Sequence, residues 1–226
     1  ESSYAPFEYK TPDGKLTGFD VDLGNAICAK LKAKCVWVEN SFDGMIPALK
    51  AKKFDGILSS MTVTDERAKQ IAFTSKIYNT PTRMVAKKGS PLLPTAASLK
   101  GKRVGVQQGT IQETYAKTYW APKGVSVVPY PTQDLIYQDM MSGRLDATLQ
   151  DAIMVDGAFL KQPKGKNFAF VGGNVVDAKT LGVGAAIGLR KEDADLKANI
   201  DKALAAIIAD GTYKKLEKKY FSFNIY

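Results

Sequence analysis

Short runs of β-branched and other apolar residues alternate with longer amphipathic segments along nearly the whole chain. This alternation limits the possible folds more than any other feature of the sequence, because strands that alternate with helices predict layered α/β architecture. The predicted strands are Cys35–Val38, Gly56–Ser59, Arg83–Ala86, Val104–Val106, Val125–Val128, Ala147–Leu149, Phe168–Val171 and Ala185–Leu189. The length of 226 residues allows one large domain or two lobes of about 100 residues each.

A weak internal repeat favours two lobes. The segments 42–60, FDGMIPALKAKKFDGILSS, and 133–151, QDLIYQDMMSGRLDATLQD, align without a gap. In each, a predicted helix leads through a basic turn into an apolar strand that ends in polar residues, Ser59-Ser60 in one copy and Gln150-Asp151 in the other. Chance similarity between two βαβ units is the alternative explanation. Since open α/β sheets bind ligands at the carboxyl ends of their strands, two facing lobes would place these residues around a shared cleft.

The run SSMTVTDER (59–67) carries polar residues from the end of a strand into a predicted helix. Thr64 suits the N-cap position, which leaves Arg67 in the first turn, where a cation is least favourable. A guanidinium offers planar paired donors that fit a carboxylate or a phosphate, and the hydroxyls of Ser60 and Thr62 lie nearby in sequence. The run therefore predicts an anion site, with a surface arginine paired to a neighbouring acid as the alternative.

The run GTIQE (109–113) predicts a second group of anion ligands. Thr110 and Glu113 have the spacing of a capping box. The first-turn N–H groups of Ile111 and Gln112 would then attract an anion. A well-capped helix with no ligand is the alternative.

A carboxylate near these anion sites would bind a cation. Asp151, at the end of its strand, would bind an ammonium group or cap the helix that begins at Ala152, and the two roles are compatible. A carboxylate site beside an ammonium site fits the α-carbon end of an amino acid. Tyr4 and Phe42 add aromatic faces, with burial in the core as the alternative, and Glu1 would supply a negative charge for a basic side chain.

Composition excludes several classes of protein. The chain has no histidine, so histidine-based catalytic triads and histidine-ligated metal sites are excluded. The net charge of +9 comes from thinly spread lysines, and we expect no nucleic-acid binding. Cys28 and Cys35 match no zinc spacing, and they form either a short disulfide loop or two buried thiols.

Several stretches occur together in one known family. They are YAPFE (4–8), GFDVDLGNAIC (18–28), FDGMIPALKAKKFDGILSSMTVTDER (42–67), GVQQGTIQE (105–113), GRLDATLQD (143–151) and, near the end, GLRKED and DGTYKKLEKKYFSFNIY. With them the chain resembles, over its whole length, the periplasmic polar amino-acid-binding proteins of ABC importers. Within that family it looks like the lysine/arginine/ornithine-binding and histidine-binding proteins.

The resemblance implies a fold and a location. It implies a two-lobed type II periplasmic-binding-protein fold of the α/β class, in which each lobe is a mostly parallel sheet flanked by helices. Two crossover hinge segments would join lobe 1 (1–81 and 183–226) to lobe 2 (82–182). The family pairs the cysteines that match Cys28 and Cys35. We expect a periplasmic monomer whose signal peptide has been removed.

The resemblance also implies the ligand contacts. The ligand carboxylate would meet Arg67, Thr62 and the amide of Ile111, the ammonium would meet Asp151 and Ser60, and the side chain would lie between Tyr4 and Phe42 with its far end near Glu1, Ser59 and Gln112. Three residues depart from the family pattern. Ile111 replaces a threonine, Gln107 replaces an apolar residue on the wall of the side-chain pocket, and Glu1 replaces a shorter aspartate.

We therefore expect a solute-binding protein that captures a basic L-amino acid by hinge closure and delivers it to a membrane ABC permease in a transient complex. Arginine is the first candidate, followed by lysine, ornithine and histidine. An opine or glutamine binder on the same scaffold is an alternative, as is a dehydratase-type enzyme. Catalysis would need an acid or base over the substrate, whereas every carboxylate here has a recognition role available. We expect no enzymatic activity, no metal and no cofactor.

Overall fold

The structure, a computed structural model, describes all 226 residues. The strands are β1 (Ser3–Tyr4), β2 (Glu8–Lys10), β3 (Leu16–Thr17), β4 (Gly56–Ile57), β5 (Ala72–Phe73), β6 (Thr82–Lys87), β7 (Arg103–Gln107), β8 (Ser126–Tyr130), β9 (Ala147–Asp151), β10 (Phe168–Val175) and β11 (Gly188–Leu189). The helices are α1 (Phe19–Lys30), α2 (Met45–Lys50), α3 (Asp65–Gln70), α4 (Ala96–Leu99), α5 (Ile111–Tyr119), α6 (Gln133–Met141), α7 (Ala152–Val155), α8 (Ala194–Ala209) and α9 (Thr212–Tyr220). The predicted α/β class is confirmed. None of these helices is long and apolar enough to cross a membrane.

The chain divides into two compact units. Unit 1 comprises Glu1–Asn40, Gly44–Asn79 and Val183–Tyr226, and unit 2 comprises Ser41–Asp43 and Thr80–Gly182. The lobe boundaries expected from the resemblance, and the role of the connecting segments as hinges, stay predictions.

Each unit has one main sheet, and in each sheet one strand is reversed. In unit 2 the order is β10-β6-β9-β7-β8, with β6 antiparallel to both of its neighbours and β7 parallel to β8 and β9. In unit 1 the order is β4-β11-β5, with β11 antiparallel to both neighbours. A separate antiparallel sheet, β1-β2-β3, completes unit 1.

The expectation of mostly parallel sheets is therefore wrong for the strand pairs of unit 1 and for the two pairs made by β6. A helix that connects two strands of one sheet returns the chain to the same end, so those strands are parallel. β6 is the first strand after the chain enters unit 2 at Thr80, and β11 is the first strand after it returns to unit 1 at Val183. No helix of the same unit connects either strand to a preceding strand of the same sheet, and each runs antiparallel to its neighbours.

One predicted strand is absent. Cys35–Val38 forms no ladder, and Val36 and Val38 are 80% and 53% exposed. β4 pairs only with β11, so its other edge carries no neighbouring strand. A cavity of about 480 Å³ lies between 35–38 and β4. β-branched residues favour an extended backbone but cannot provide the partner that a strand needs.

The disulfide is present. Cys28, in the last turn of α1, is bonded to Cys35, with the Cα atoms 5.8 Å apart. The two cysteines are therefore not free thiols, and the disulfide links the extended segment 35–38 to α1.

An aromatic cluster forms part of the core of unit 1. The ring of Tyr78 stacks on Phe7 at 4.9 Å and meets Phe19 edge-on at 5.7 Å. Gly18 allows the start of α1 to approach this cluster, because a Cβ at that position would lie 2.1 Å from the carbonyl oxygen of Phe7. The core of unit 2 packs apolar residues of the sheet, such as Val104, against its helices.

Candidate functional site

The predicted ligand residues fall into two groups, one in each unit. Unit 1 holds Glu1, Tyr4, Ser59, Ser60, Thr62 and Arg67, and unit 2 holds Phe42, Gln107, Ile111, Gln112 and Asp151. Tyr4, Gln107 and Asp151 are the last residues of β1, β7 and β9, and Ile111 is the first residue of α5.

Arg67 is a buried cation. Thr64 is the N-cap of α3, as predicted, and its hydroxyl accepts a hydrogen bond from the amide of Arg67 at 3.2 Å. The Arg67 side chain is directed back along the chain, and its Nη1 donates to the carbonyl oxygen of Thr62 at 2.7 Å. Only 9% of Arg67 is exposed, and burial lowers its pKa to about 10 because the charged form loses hydration. The alternative of a surface arginine is therefore wrong.

Ser60 has an unusual backbone. Its φ of 49° lies in the left-handed region, which is uncommon for a residue other than glycine. Its amide donates to Oδ2 of Asp20 at 2.9 Å, and its hydroxyl lies 2.8 Å from the hydroxyl of Tyr78. Sequence reasoning missed Asp20 and Tyr78. Asp20 resembles any acid in the first turn of a helix, and Tyr78 resembles any core aromatic.

Ser59 connects the start of the chain to a buried acid. Its hydroxyl donates to the carboxyl group of Glu8 and accepts from the backbone nitrogen of Glu1 at 3.2 Å. Glu8 is 4% exposed, and burial together with the nearby Asp20 raises its pKa well above the ordinary value. The side chain of Glu1 accepts a hydrogen bond from Ser3 at 3.3 Å. Ser59 therefore connects the backbone of Glu1 to the buried carboxyl group of Glu8.

The remaining residues of this group differ in how buried they are. Tyr4 is buried with its ring 6.2 Å from that of Phe7, so part of it belongs to the core, as the alternative held. Thr62 is half-buried and forms a bridge with Ala185 next to β11.

Asp151 is the buried anion of unit 2. It caps α7, where Oδ1 accepts from the amides of Ile153 and Met154, both at 2.9 Å. Oδ2 accepts from the hydroxyl of Thr80, a partner that the sequence does not reveal. These three donors are neutral, and burial raises the pKa of Asp151 to about 6. The predicted capping role is confirmed, whereas the ammonium contact stays a prediction.

The N-terminus of α5 is capped as predicted. Thr110 accepts from the amide of Glu113 at 3.2 Å, and the Glu113 carboxylate accepts from the amide of Gly109 at 2.7 Å. By the geometry of an α-helix, the amides of Ile111 and Gln112 have no carbonyl partner within α5. They are thus available for an anion.

Two glutamines extend this group with neutral amides. Nε2 of Gln112 donates to the hydroxyl of Thr82 at 3.0 Å, and Thr82 lies opposite Asp151 in the ladder of β6 and β9. Gln107 is 1% exposed, and its Oε1 accepts from Gln133 at 3.0 Å. Its Nε2 donates to the carbonyl oxygen of residue 131 at 3.3 Å. Sequence reasoning missed Gln133, which looks like an ordinary first-turn residue of α6.

Phe42 is half-buried and begins a short 3₁₀ turn, Phe42–Gly44. Phe42 is thus accessible in part, which is consistent with a contact to a flat side chain. The groups described so far donate, accept and carry charge, which suits recognition of a small charged molecule.

Comparisons with known proteins agree with this description. Residues 1–223 match the family described as bacterial extracellular solute-binding proteins, family 3. The chain is 53% identical to the lysine/arginine/ornithine-binding periplasmic protein of Escherichia coli strain K12, over all of this chain and 87% of that protein. It is 51% identical to the histidine-binding periplasmic protein of Salmonella typhimurium, with the same coverage. An ancestral arginine-binding protein bound to arginine superposes with a TM-score of 0.91 at 36% identity, over 98% of this chain and 96% of that one.

These findings decide several expectations. The resemblance seen in the sequence is confirmed, and so is the expectation of a binding protein rather than an enzyme, because the matched family consists of solute-binding proteins. The periplasmic location also agrees with the relatives, both of which are periplasmic proteins. The chain belongs to family 3 of the bacterial extracellular solute-binding proteins.

Proposed function

We propose that this protein binds a basic L-amino acid, with L-arginine as the first candidate and lysine, ornithine and histidine as the others. The observation that carries the proposal is the pair of buried opposite charges, Arg67 in unit 1 and Asp151 in unit 2. A zwitterionic α-amino acid carries a carboxylate and an ammonium group on one carbon, so a single small ligand neutralises both. The names of the relatives support a basic side chain.

The contacts follow the chemistry of each group. The ligand carboxylate binds Arg67, Thr62 and the amide of Ile111, the ammonium binds Asp151 and Ser60, and the side chain lies between Tyr4 and Phe42 and extends towards Glu1, Ser59, Gln107 and Gln112. A carboxylate at Glu1 favours a cationic side chain over a neutral one, which supports arginine and lysine over glutamine.

Burial supports these contacts energetically. The pKa of Arg67 falls to about 10 and that of Asp151 rises to about 6, because burial disfavours both charged forms. A ligand carboxylate beside Arg67 and a ligand ammonium beside Asp151 reverse both effects. Pairing each buried charge with an opposite charge of the ligand thus offsets part of its desolvation penalty.

Capture and delivery require a change of state. We propose that the units close over the ligand about the two connecting segments, because ligands with contacts on two bodies favour the state in which both sets form. The closed, liganded form is then the one that a membrane ABC permease recognises. The protein acts as a monomer in this scheme.

A ligand panel tests the proposal directly. Thermal unfolding is measured with the twenty amino acids, ornithine, citrulline and an opine, because a ligand that binds only the folded state raises the melting temperature by mass action. Hits are then titrated by calorimetry. We expect L-arginine to give the largest shift, followed by lysine, ornithine or histidine.

Two results would contradict the proposal. A larger stabilisation by glutamine or by an opine than by any basic amino acid would assign the site to that ligand. Binding of D-arginine as tightly as L-arginine would show that the α-carboxylate and α-ammonium are not held at separate sites.

A further inference from the structure

The backbone amide of Ser60 donates a hydrogen bond to a fully buried carboxylate. Asp20, in the first turn of α1, is 0% exposed, and its Oδ2 accepts the backbone amide of Ser60 at 2.9 Å. This amide belongs to the residue whose φ of 49° is otherwise unfavourable. The hydrogen bond thus keeps Ser60 in a conformation that a serine would seldom adopt by itself.

The same carboxylate determines the direction of a second hydrogen bond. Tyr78 has a single hydroxyl hydrogen, and the hydroxyl oxygen lies 2.8 Å and 2.9 Å from the two oxygens of Asp20. An ionised carboxylate only accepts, so Tyr78 donates its hydrogen to Asp20. The contact between the hydroxyls of Ser60 and Tyr78, at 2.8 Å, must then have Ser60 as the donor.

The direction of these hydrogen bonds determines what the Ser60 hydroxyl presents to a ligand. Its one hydroxyl hydrogen is directed at Tyr78, so the Ser60 oxygen meets a ligand with its lone pairs only. A lone pair accepts from an ammonium group and repels a carboxylate. We propose that Asp20 and Tyr78 are positioning residues that hold the Ser60 hydroxyl as an acceptor for the α-ammonium group of the ligand. This inference rests on the proposed function, in which Ser60 binds that group.

The groups around Asp20 are compatible with its ionised state near neutral pH. Glu8, Tyr78 and Tyr213 face it from β2, from the segment after β5 and from α9, and the backbone nitrogen of Glu1 is also close. Burial raises the pKa of Asp20 to about 6 and that of Glu8 well above the ordinary value. With a pKa of about 6, Asp20 is mostly ionised at pH 7.

A double-mutant cycle tests the proposal. Tyr78→Phe removes the hydroxyl but keeps the ring that packs on Phe7 and Phe19, and it is combined with Ser60→Ala. Affinity for L-arginine is measured by calorimetry at pH 7.5 for the four proteins. We expect Tyr78→Phe to weaken binding about tenfold when Ser60 is present and less than about twofold in the Ser60→Ala protein.

The chain offers a matched control. Tyr213 belongs to the same aromatic cluster, and its hydroxyl donates to the carbonyl oxygen of Ile77 at 2.6 Å, away from Ser60. Tyr213→Phe removes a buried hydroxyl in the same way. We expect it to lower the melting temperature while leaving arginine affinity within about twofold.

A second measurement uses 5-guanidinopentanoic acid, which is arginine without its α-amino group. If Tyr78 acts through Ser60 on the ammonium, Tyr78→Phe weakens arginine binding and leaves binding of this analogue unchanged. Equal losses for both ligands, or equal losses with and without Ser60, would overturn the inference while the proposed function stands. If the unaltered protein binds no basic amino acid, the proposed function fails and this inference fails with it.

Discussion

The two units support their candidate ligand residues by different chemistry. In unit 1, Ser60 and Ser59 bond to the buried carboxyl groups of Asp20 and Glu8. In unit 2, Gln112 bonds to a threonine hydroxyl, and Gln107 bonds to another amide and to a backbone carbonyl. The support is ionisable in one unit and neutral in the other.

This difference has a physical consequence. A buried carboxyl group gives strong, directional hydrogen bonds, but its charge is costly to bury and is lost when the pH falls through its pKa. Amides and hydroxyls keep the same hydrogen bonds at every pH. We therefore expect the contribution of unit 1 to ligand affinity to depend on charge and pH. The contribution of unit 2 should depend mainly on the shape of the ligand, except at Asp151.

The largest expected effect is the loss of the cation of unit 1. Arg67→Ala leaves the ligand carboxylate without its charged partner, and we expect the affinity for L-arginine to fall about 100-fold or more. Calorimetry measures this loss, with circular dichroism to verify the fold. The matched variant Arg67→Lys keeps the charge without the paired donors, and we expect an intermediate loss. An Arg67→Ala protein that binds within a few-fold of the unaltered one would show that ligand binding does not depend on the cation of unit 1.

The next effect concerns the one charged residue in the site of unit 2. Asp151→Asn keeps the capping acceptor for α7 but removes the charge, so we expect arginine affinity to fall about 30-fold. The melting temperature of the ligand-free protein should stay equal or rise, because a buried anion surrounded by neutral donors is removed. A lower melting temperature with unchanged affinity would make Asp151 a structural cap only.

The two buried aspartates, Asp20 and Asp151, predict a pH dependence of stability. Asp20 and Asp151 have pKa values raised from 3.8 to about 6 by burial. The folded state then binds protons more readily than the unfolded state, so their stability contribution is present at low pH and is lost as the pH rises through about 6. For these groups, lowering the pH from 7 to 5 stabilises the ligand-free protein.

Ligand binding has the opposite dependence, because it requires ionised Asp151. One group with a pKa of about 6 lowers the affinity about tenfold between pH 7 and pH 5. Melting curves and titrations at both pH values measure the two effects. The Asp151→Asn protein serves as the control, and we expect a weaker pH dependence of its affinity. An affinity that stays constant from pH 7 to pH 5 would contradict the role of Asp151.

The smallest effect is expected from the neutral support of unit 2. Gln107→Leu leaves the amide of Gln133 without its acceptor and should lower the free energy of unfolding by about 1 kcal/mol. We expect the ratio of arginine to lysine affinity to change about threefold. The double variant Gln107→Leu/Gln133→Leu removes both partners, so its stability should recover. A loss in the double variant equal to the sum of the single losses would show that the two amides do not act as a pair.

The caps could be predicted from the sequence. Thr64, Thr110 and Asp151 each accept hydrogen bonds from amides within the next three residues, so the pattern that predicts them is complete in a short stretch of chain. The α/β class and the family follow equally from the order of segments and motifs. The predicted strand at 35–38 fails because the extended residues pair with no neighbour in the structure.

The supporting residues of unit 1 could not be predicted in this way. Asp20 meets Ser60 and Tyr78 across 40 and 58 residues of sequence. Nothing in the GFDVDLG run distinguishes the fully buried Asp20 from Asp22, which bonds to Lys219.

The sequence alone thus determined the local structure of this protein, its family and the residues that carry its charges, because these depend on residue type and on neighbours within about one helical turn. The burial of those charges, the groups that surround the Ser60 hydroxyl and the reversal of two strands follow from the tertiary structure instead. Each of these depends on contacts between segments that are distant in the chain. A hydrogen bond or a desolvated charge is set by the atoms around it, whatever their separation in sequence.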